Sequence, residues 1–406
     1  MKYCVLTIDG ASGWPMADRG GRTCLELAHT PNLDAMAQTG VLGLVRNVPQ
    51  GMEPSSACAC MSVLGYDPRI HYRGRSAIEA KGMRIPMAEG DIVFRCNLVT
   101  VRRGKMWSYS CGLISTSEAR VLIDSLNENV GGDGVQFYPG VSYRHICRIK
   151  RREDALLASC TPPHDIPNKA ISEFMPDGPG SDLLRDLMRR SESVLREHPV
   201  NIERIERGDL PASMIWLFWG SARLPVMPAF KEMRGLDAAM TSGVDVMRGL
   251  AQMAGMQILD IPGVTDGPDN DYASQAIGAL EALKACDMVT IHIEATDDAA
   301  HAGLADEKIK AIETVDREIV GHLLAWNKDE FRVLVLPDHA TPIEVQTHVA
   351  DPVPFVLWGA GFAATRRGRA RTFTEAQAKS TGVLIHEGCG IMGRLVGTEE
   401  DLTIWA

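Results

Sequence analysis

The chain has no excess of basic residues, no long apolar run and no paired cysteines. Its 406 residues carry 42 Lys and Arg against 52 Asp and Glu, a formal net charge of -10. A surface of that sign repels phosphate backbones and anionic lipid, so neither nucleic acid nor a membrane is an expected partner. No apolar stretch approaches the ~18 residues needed to span a bilayer. The opening residues, YCVLTIDG, lack a basic segment with a cleavage site. The cytoplasm is therefore the expected compartment. Ten cysteines scatter without C-x-x-C spacing, and Cys58 and Cys60 form only C-x-C, which argues against zinc ribbons and thioredoxin-like motifs. Reduced, largely buried thiols are expected. The sequence also lacks G-x-x-x-x-G-K-[ST], the usual backbone cradle for a nucleotide.

What is present is a set of short apolar runs alternating with helix-length segments: YCVLTID, SMIWLFWG, MQILDIPG, MVTIHIEA, RVLVLPD and PFVLWGAG. That alternation predicts an α/β fold with a mostly parallel sheet covered by helices on both faces. In DEKIKAIETVDREIVGHLL, residues Ile309, Ile312, Ile319 and Leu323 fall at helical spacing, and their stripe is core. The texture changes between about 88 and 180, where hairpin-like, charged stretches dominate and Ser115 with Glu118 forms a plausible helix cap. These features predict a main domain over 1–87 and 181–406 and a smaller inserted α+β domain over 88–180.

Three predicted strand ends share one feature. The first ends in Asp9-Gly10, the stretch VTIHIEATDDAAH carries Asp297 and His301, and RVLVLPDHATPIEVQTH carries Asp338, His339 and His348. Open α/β sheets place ligands at the carboxyl ends of their strands. Oxygen and imidazole donors without thiolate suit ions such as Mn²⁺ or Zn²⁺. Asp297 and His301, four apart at a helical turn, project on one face. Each residue alone reads as a turn or cap; six at three strand ends read as ligands of two cations, an arrangement suited to phosphoryl transfer. A nucleophile is available in GMEPSSACACMSVLGYDP, where Ser55 and Ser56 precede an apolar helix.

In order along the chain, TPNLDAMA, LGYDP, GRSAIEA, FRCNLVTV, GVSYRH, TPPHDIP, TDDAAH and LPDHATP followed by THVADPVPF resemble the archaeal-type cofactor-independent (2,3-bisphosphoglycerate-independent) phosphoglycerate mutases and their bacterial relatives, within the alkaline phosphatase superfamily. The resemblance spans nearly the whole chain. It implies an alkaline-phosphatase-like α/β fold and a mutase interconverting 3- and 2-phosphoglycerate. It further implies two divalent cations, with Mn²⁺ preferred and Zn²⁺ as the alternative. One would be held by Asp9, Ser56, Asp338 and His339, the other by Asp297, His301 and His348. Ser56, at the family serine's offset from LGYDP, would be transiently phosphorylated. Arginine forks suit phosphate and carboxylate, and the substrate-binding residues expected on matching motifs are Arg75, Arg95, Asn97, Arg144, His145, His164, Asp165, Arg223 and Lys231.

The sequence departs from the family pattern at Ala57, where an acidic residue is common, at Cys60, where histidine is common, and in WSYSCGL, which replaces an arginine-rich stretch. No predicted metal ligand is lost. Two other readings use the same residues: a phosphotransferase acting on homoserine or a phosphatase, and an inactive homologue that binds a phosphorylated metabolite.

Overall fold

A computed structural model describes residues 1–132, 134–222, 224, 227–326, 330–363 and 372–397. Among them the strands are β1 (Lys2–Ile8), β2 (Val41–Val45), β3 (Asp91–Arg102), β4 (Lys105–Ser108), β5 (Val135–Tyr138), β6 (Arg144–Lys150), β7 (Met214–Ala222), β8 (Ala238–Thr241), β9 (Gln257–Ile258), β10 (Met288–Ile293), β11 (Phe331–Leu336), β12 (Val353–Gly359) and β13 (Leu384–Ile385). The chain divides into two compact units, one formed by residues 1–72 and 226–406, the other by Arg73–Pro225.

The first unit holds an 8-stranded sheet in the order β13-β2-β12-β11-β1-β10-β8-β9. Central β1 runs parallel to β10 and to β11, and β8 and β9 continue the parallel set. Every residue of β10 and β11 is buried, so both faces of the sheet are covered, as the unbroken apolar runs predict. This is the α/β class expected from the sequence. β12 runs against its neighbours β11 and β2. Its antiparallel return keeps segment 337–352, which carries Asp338, His339 and His348, at the carboxyl edge of β11. The helical stripe is core as expected: Ile312, Ile319 and Leu323 are fully buried, and Ile309 packs against them. Asp316 on the same segment accepts from the Leu33 N–H at 2.7 Å and the Asn32 N–H at 3.2 Å, capping the helix Pro31–Thr39.

The second unit is wider than the predicted 88–180 insert on both sides. Its 5-stranded sheet contains β4-β3-β6-β5, with β7 paired antiparallel to β3. SMIWLFWG thus joins this sheet rather than the main one, because a strand buried on both faces carries no signal for which sheet it enters. The helix Arg75–Gly82 belongs here too, packing Ala77 and Ala80 on Val93 and Ile146. Helices Thr116–Asn129 and Ser181–Arg196 cover the opposite face through Leu122, Ile123, Leu184 and Met188. Ser115 caps the first of them, accepting from the Glu118 N–H at 3.3 Å.

All ten cysteines are free thiols, eight buried and Cys160 and Cys389 half-buried. Among the described residues no helix is long and apolar enough to cross a membrane.

Candidate active site

The parallel strands of the main sheet end at one edge, and each end turns sharply. Gly10 has φ 60° and sits where an added Cβ would come within 2.3 Å of an Asp297 carboxylate oxygen, so the turn needs glycine for both backbone and space. The chain therefore delivers Asp9, Asp297, Asp338 and His339 to one region from three different strands.

Among the described residues three groups of donors converge there: Asp297 with His301 and His348, Asp9 with Asp338 and His339, and Asp9 with His292 and Glu294, the first two carrying the predicted ligands. In the first, the Asp297 Oδ2 lies 3.1 Å from His301 Nε2 and 3.3 Å from His348 Nε2. The two Nε2 atoms are 2.8 Å apart. Each ring is anchored through its other nitrogen, His301 Nδ1 on the Gln346 carbonyl at 2.8 Å and His348 Nδ1 on the Pro54 carbonyl at 3.2 Å. A carbonyl only accepts, so both Nδ1 atoms carry a proton and both Nε2 atoms face Asp297. Three electron pairs at these distances repel unless a cation lies among them. A proton partly serves: although burial works against the charge, Asp297 holds the His301 imidazolium up to about 9. Asp297 itself stays well below the usual carboxylate range despite its burial, because His348 and His301 surround it.

The second group follows the same logic. The Thr341 hydroxyl donates to Asp297 Oδ1 at 2.6 Å and so accepts from His339 Nδ1 at 3.2 Å, which turns the His339 Nε2 lone pair inward. That nitrogen lies 3.4 Å from Asp9 Oδ1, 3.3 Å from Asp338 Oδ2 and 3.3 Å from Ser56 Oγ. Burial keeps His339 neutral, its pKa pushed down to about 4. Asp9 Oδ1 is buried without a hydrogen-bond partner. Burial, then Asp338, Glu294 and Asp297, push the Asp9 carboxyl well above its ordinary range. An orphaned carboxylate oxygen, crowded acids and an inward lone pair fit a divalent cation held by oxygen and nitrogen.

The two serines divide their work. Ser55 is the cap, its Oγ accepting from the Cys58 N–H at 3.3 Å, and Ser56 opens the helix Ser56–Val63 with its hydroxyl toward His339. The departure at Cys60 also falls here: its thiol meets Asp338 Oδ2 at 3.6 Å.

Sequence reasoning missed two supports. His292 donates from Nε2 to Asp9 Oδ2 at 2.9 Å while its Nδ1 meets Ser242 Oγ at 3.2 Å, fixing the carboxylate from behind. The signal was present, a histidine inside the apolar run MVTIHIEA. Lys308, next to Ile309 on the charged stretch DEKIKAIETVDREIVGHLL, is fully buried. Its ammonium donates to the Ser12 carbonyl at 3.0 Å and the Thr341 carbonyl at 2.9 Å, tying together the two loops that follow Asp9 and His339.

The second unit gathers part of the predicted substrate set. Arg75 and Arg95 both pair with the buried Glu79 carboxylate, and the Arg95 Nε–H donates to Asn97 Oδ1 at 3.3 Å. Arg144 stands opposite Asn97 in the β3–β6 ladder and so shares its face. The Arg75 guanidinium lies over the Trp219 ring at 5.2 Å, and Trp219 meets the His164 ring at 5.5 Å.

Two expected residues of the second unit do not join this group. His145 pairs with Cys96, which puts it on the opposite face of the sheet from Arg95 and Asn97. Burial, then Arg95 and Arg144, push its pKa down to about 3, and its Nδ1 accepts from the Gly140 N–H at 3.0 Å. Asp165 is exposed, 3.9 Å from His164. Lys231 belongs to the first unit, exposed and paired with Asp237 at 2.8 Å. Arg223 lies outside the described residues.

A mostly parallel sheet with acid and imidazole donors gathered at its carboxyl edge defines an α/β protein of the kind that binds its ligand at strand ends. Residues 37–201 match the family model described as 2,3-bisphosphoglycerate-independent phosphoglycerate mutase. A protein of that name from Methanothrix thermoacetophila is 46% identical over 98% of this chain and 100% of its own length. The solved structure of the PH0037 protein from Pyrococcus horikoshii superposes with TM-score 0.79 at 26% identity, covering 100% of this chain and 98% of that one. A cofactor-independent phosphoglycerate mutase from Thermoplasma acidophilum shares the fold with TM-score 0.60 at 24% identity, over 97% and 99% of the two chains. The chain belongs to the 2,3-bisphosphoglycerate-independent phosphoglycerate mutase family.

Proposed function

We propose that this chain interconverts 3-phosphoglycerate and 2-phosphoglycerate through a phosphoserine at Ser56. In this reading one divalent cation is held by Asp9, Ser56, Asp338 and His339 and a second by Asp297, His301 and His348, Mn²⁺ being preferred to Zn²⁺. The observation that carries it is the convergence of inward-facing lone pairs beside one serine hydroxyl, with Ser56 Oγ 3.3 Å from His339 Nε2. Bound there, the cations supply the positive charge that stabilises the phosphoryl oxygens and the serine oxygen.

The protein's own groups do the rest. Ser56 Oγ bonds to phosphorus as the substrate's ester bond breaks, and the serine proton ends on the glycerate oxygen released. Glycerate turns within the site, its other hydroxyl takes the phosphoryl group, and the proton returns to Ser56. No bisphosphoglycerate is consumed. His292 and Lys308 keep Asp9 and the two ligand-bearing loops in place. Arg75, Arg95, Asn97, Arg144 and His164 supply a cationic and aromatic surface suited to the substrate's anionic groups. Free thiols throughout fit a reducing compartment, the cytoplasm.

A coupled assay converting 3-phosphoglycerate with Mn²⁺, before and after chelation, tests this. Metal-dependent formation of 2-phosphoglycerate is the expected result. Release of inorganic phosphate alone, or turnover only with homoserine and ATP, would replace the mutase reading.

A further inference from the structure

We infer that Glu79 is a positioning residue for substrate: one buried carboxylate that sets Arg75 and Arg95 side by side for an anionic group of phosphoglycerate. The inference rests on the mutase reading above.

Glu79 lies on the helix Arg75–Gly82, one turn after Arg75, and its residue is 5% exposed. A glutamate is rarely buried unless it is paired. Here one oxygen, Oε1, takes the Arg75 Nε–H at 2.7 Å and also the Arg95 Nη1–H. Arg95 is itself 6% exposed. Arg144 shares a face of β3–β6 with Asn97. Guanidiniums held in a fixed orientation meet a carboxylate or phosphate at a lower ordering cost.

The backbone around the pair is shaped for the same purpose. The β3–β7 register jumps from Val93↔Ser221 to Arg95↔Phe218, so Trp219 and Gly220 face the single residue Phe94, and Trp219 takes φ 49°. A bulge of this kind re-aims a side chain, and Trp219 carries the Arg75 guanidinium over its ring. Ser76 donates to the Trp219 carbonyl at 2.6 Å, fastening the bulge to the helix that bears Arg75 and Glu79. Helix, bulge and strand thus fix both guanidiniums through Glu79, whose negative charge would otherwise oppose an anionic substrate.

That opposition makes the test decisive. If Glu79 merely balanced charge, Glu79→Gln would leave KM for 3-phosphoglycerate unchanged or lower it, since a repelling carboxylate is gone. If it positions the pair, both Glu79→Gln, which removes the charge, and Glu79→Asp, which shortens the reach, raise KM about tenfold or more while kcat changes less than about threefold. A role only in folding would lower the thermal midpoint and the active fraction, reducing kcat at constant KM. Unchanged KM in either folded variant overturns the inference. Should neither fold, the guanidinium Nε–H signals of Arg75 and Arg95 in the wild-type protein, identified through Arg→Lys variants, are followed during titration with 3-phosphoglycerate. Movement of both supports the assignment, and signals that stay fixed overturn it. A wild-type protein that binds 3-phosphoglycerate without converting it counts against the mutase reading instead, and the titration still decides the role of Glu79.

Discussion

Ser56 Oγ and His339 Nε2 stand 3.3 Å apart, in a site where the imidazole proton sits on the far nitrogen, held by Thr341. A hydroxyl facing a lone pair can donate to it, and next to a cation it can lose its proton more readily. Ser56→Ala removes the oxygen that would carry the phosphoryl group without touching Asp9, Asp297, Asp338 or the three histidines. Mutase turnover is expected to fall by about a thousandfold or more. Metal content, measured on the same preparation by elemental analysis, should stay close to that of the wild type. Full activity in this variant would remove Ser56 from the mechanism.

Lys308 offers a second test, because its ammonium has exchanged water for two backbone carbonyls. Burial lowers its pKa. Lys308→Met keeps the length and the apolar stem but leaves the Ser12 and Thr341 carbonyls without this donor. Breaking such buried bonds costs roughly 2–4 kcal/mol, to be read from urea unfolding. Since those loops follow Asp9 and His339, apparent Mn²⁺ affinity should weaken by about tenfold. An unfolding midpoint and a metal titration both matching wild type would mean that the clamp does nothing.

Much of the donor cluster is legible in the sequence for a physical reason. Polar side chains that follow short apolar runs must emerge at the strand ends of a parallel sheet, so Asp9, Asp338 and His339 announce their place by position alone. His292 and Lys308 do not, since a polar residue inside a buried run looks the same whether it supports a site or merely tolerates burial. His145 shows a related limit: moving one position along β6 changes the face, and register is settled by pairing with Cys96 rather than by motif. Glu79 lay inside the quoted motif GRSAIEA, but a charge on a short helix gives no hint that two arginines from separate elements will meet it. The second unit exceeds the predicted 88–180 insert because β7, more than 100 positions after β3, pairs with it.

Stability should depend on acidity through Glu118. Burial works against its charge, but the Ser115 hydroxyl, Arg207 and Arg204 win, and its pKa falls to about 2. Its folded value is therefore below the unfolded value of about 4.3. A depressed carboxylate stabilises the fold fully above the unfolded pKa, and that contribution disappears as pH drops from about 5 toward 2. Because the group meets solvent and screening weakens its pairs, the contribution at neutral pH is roughly 1 kcal/mol. Glu118→Gln should therefore destabilise the protein clearly at pH 7 and much less at pH 3, as measured by denaturant unfolding at both values. An equal loss at the two pH values would assign the effect to packing instead.

Chelation connects the site to the fold as a whole. Asp9, Asp297 and Asp338 crowd together with Glu294 nearby, so bound divalent cations should relieve their mutual repulsion in the native state only. A ligand present at about a hundredfold over its dissociation constant stabilises by about 2.7 kcal/mol. Adding EDTA should therefore lower the thermal midpoint by several degrees and abolish turnover together, and Mn²⁺ should restore both. In Asp297→Asn the Mn²⁺-dependent rise in midpoint should shrink, because the oxygen facing His301 and His348 loses its charge. A midpoint indifferent to chelation, with turnover intact, would leave the converging carboxylates and imidazoles without a cation to explain them.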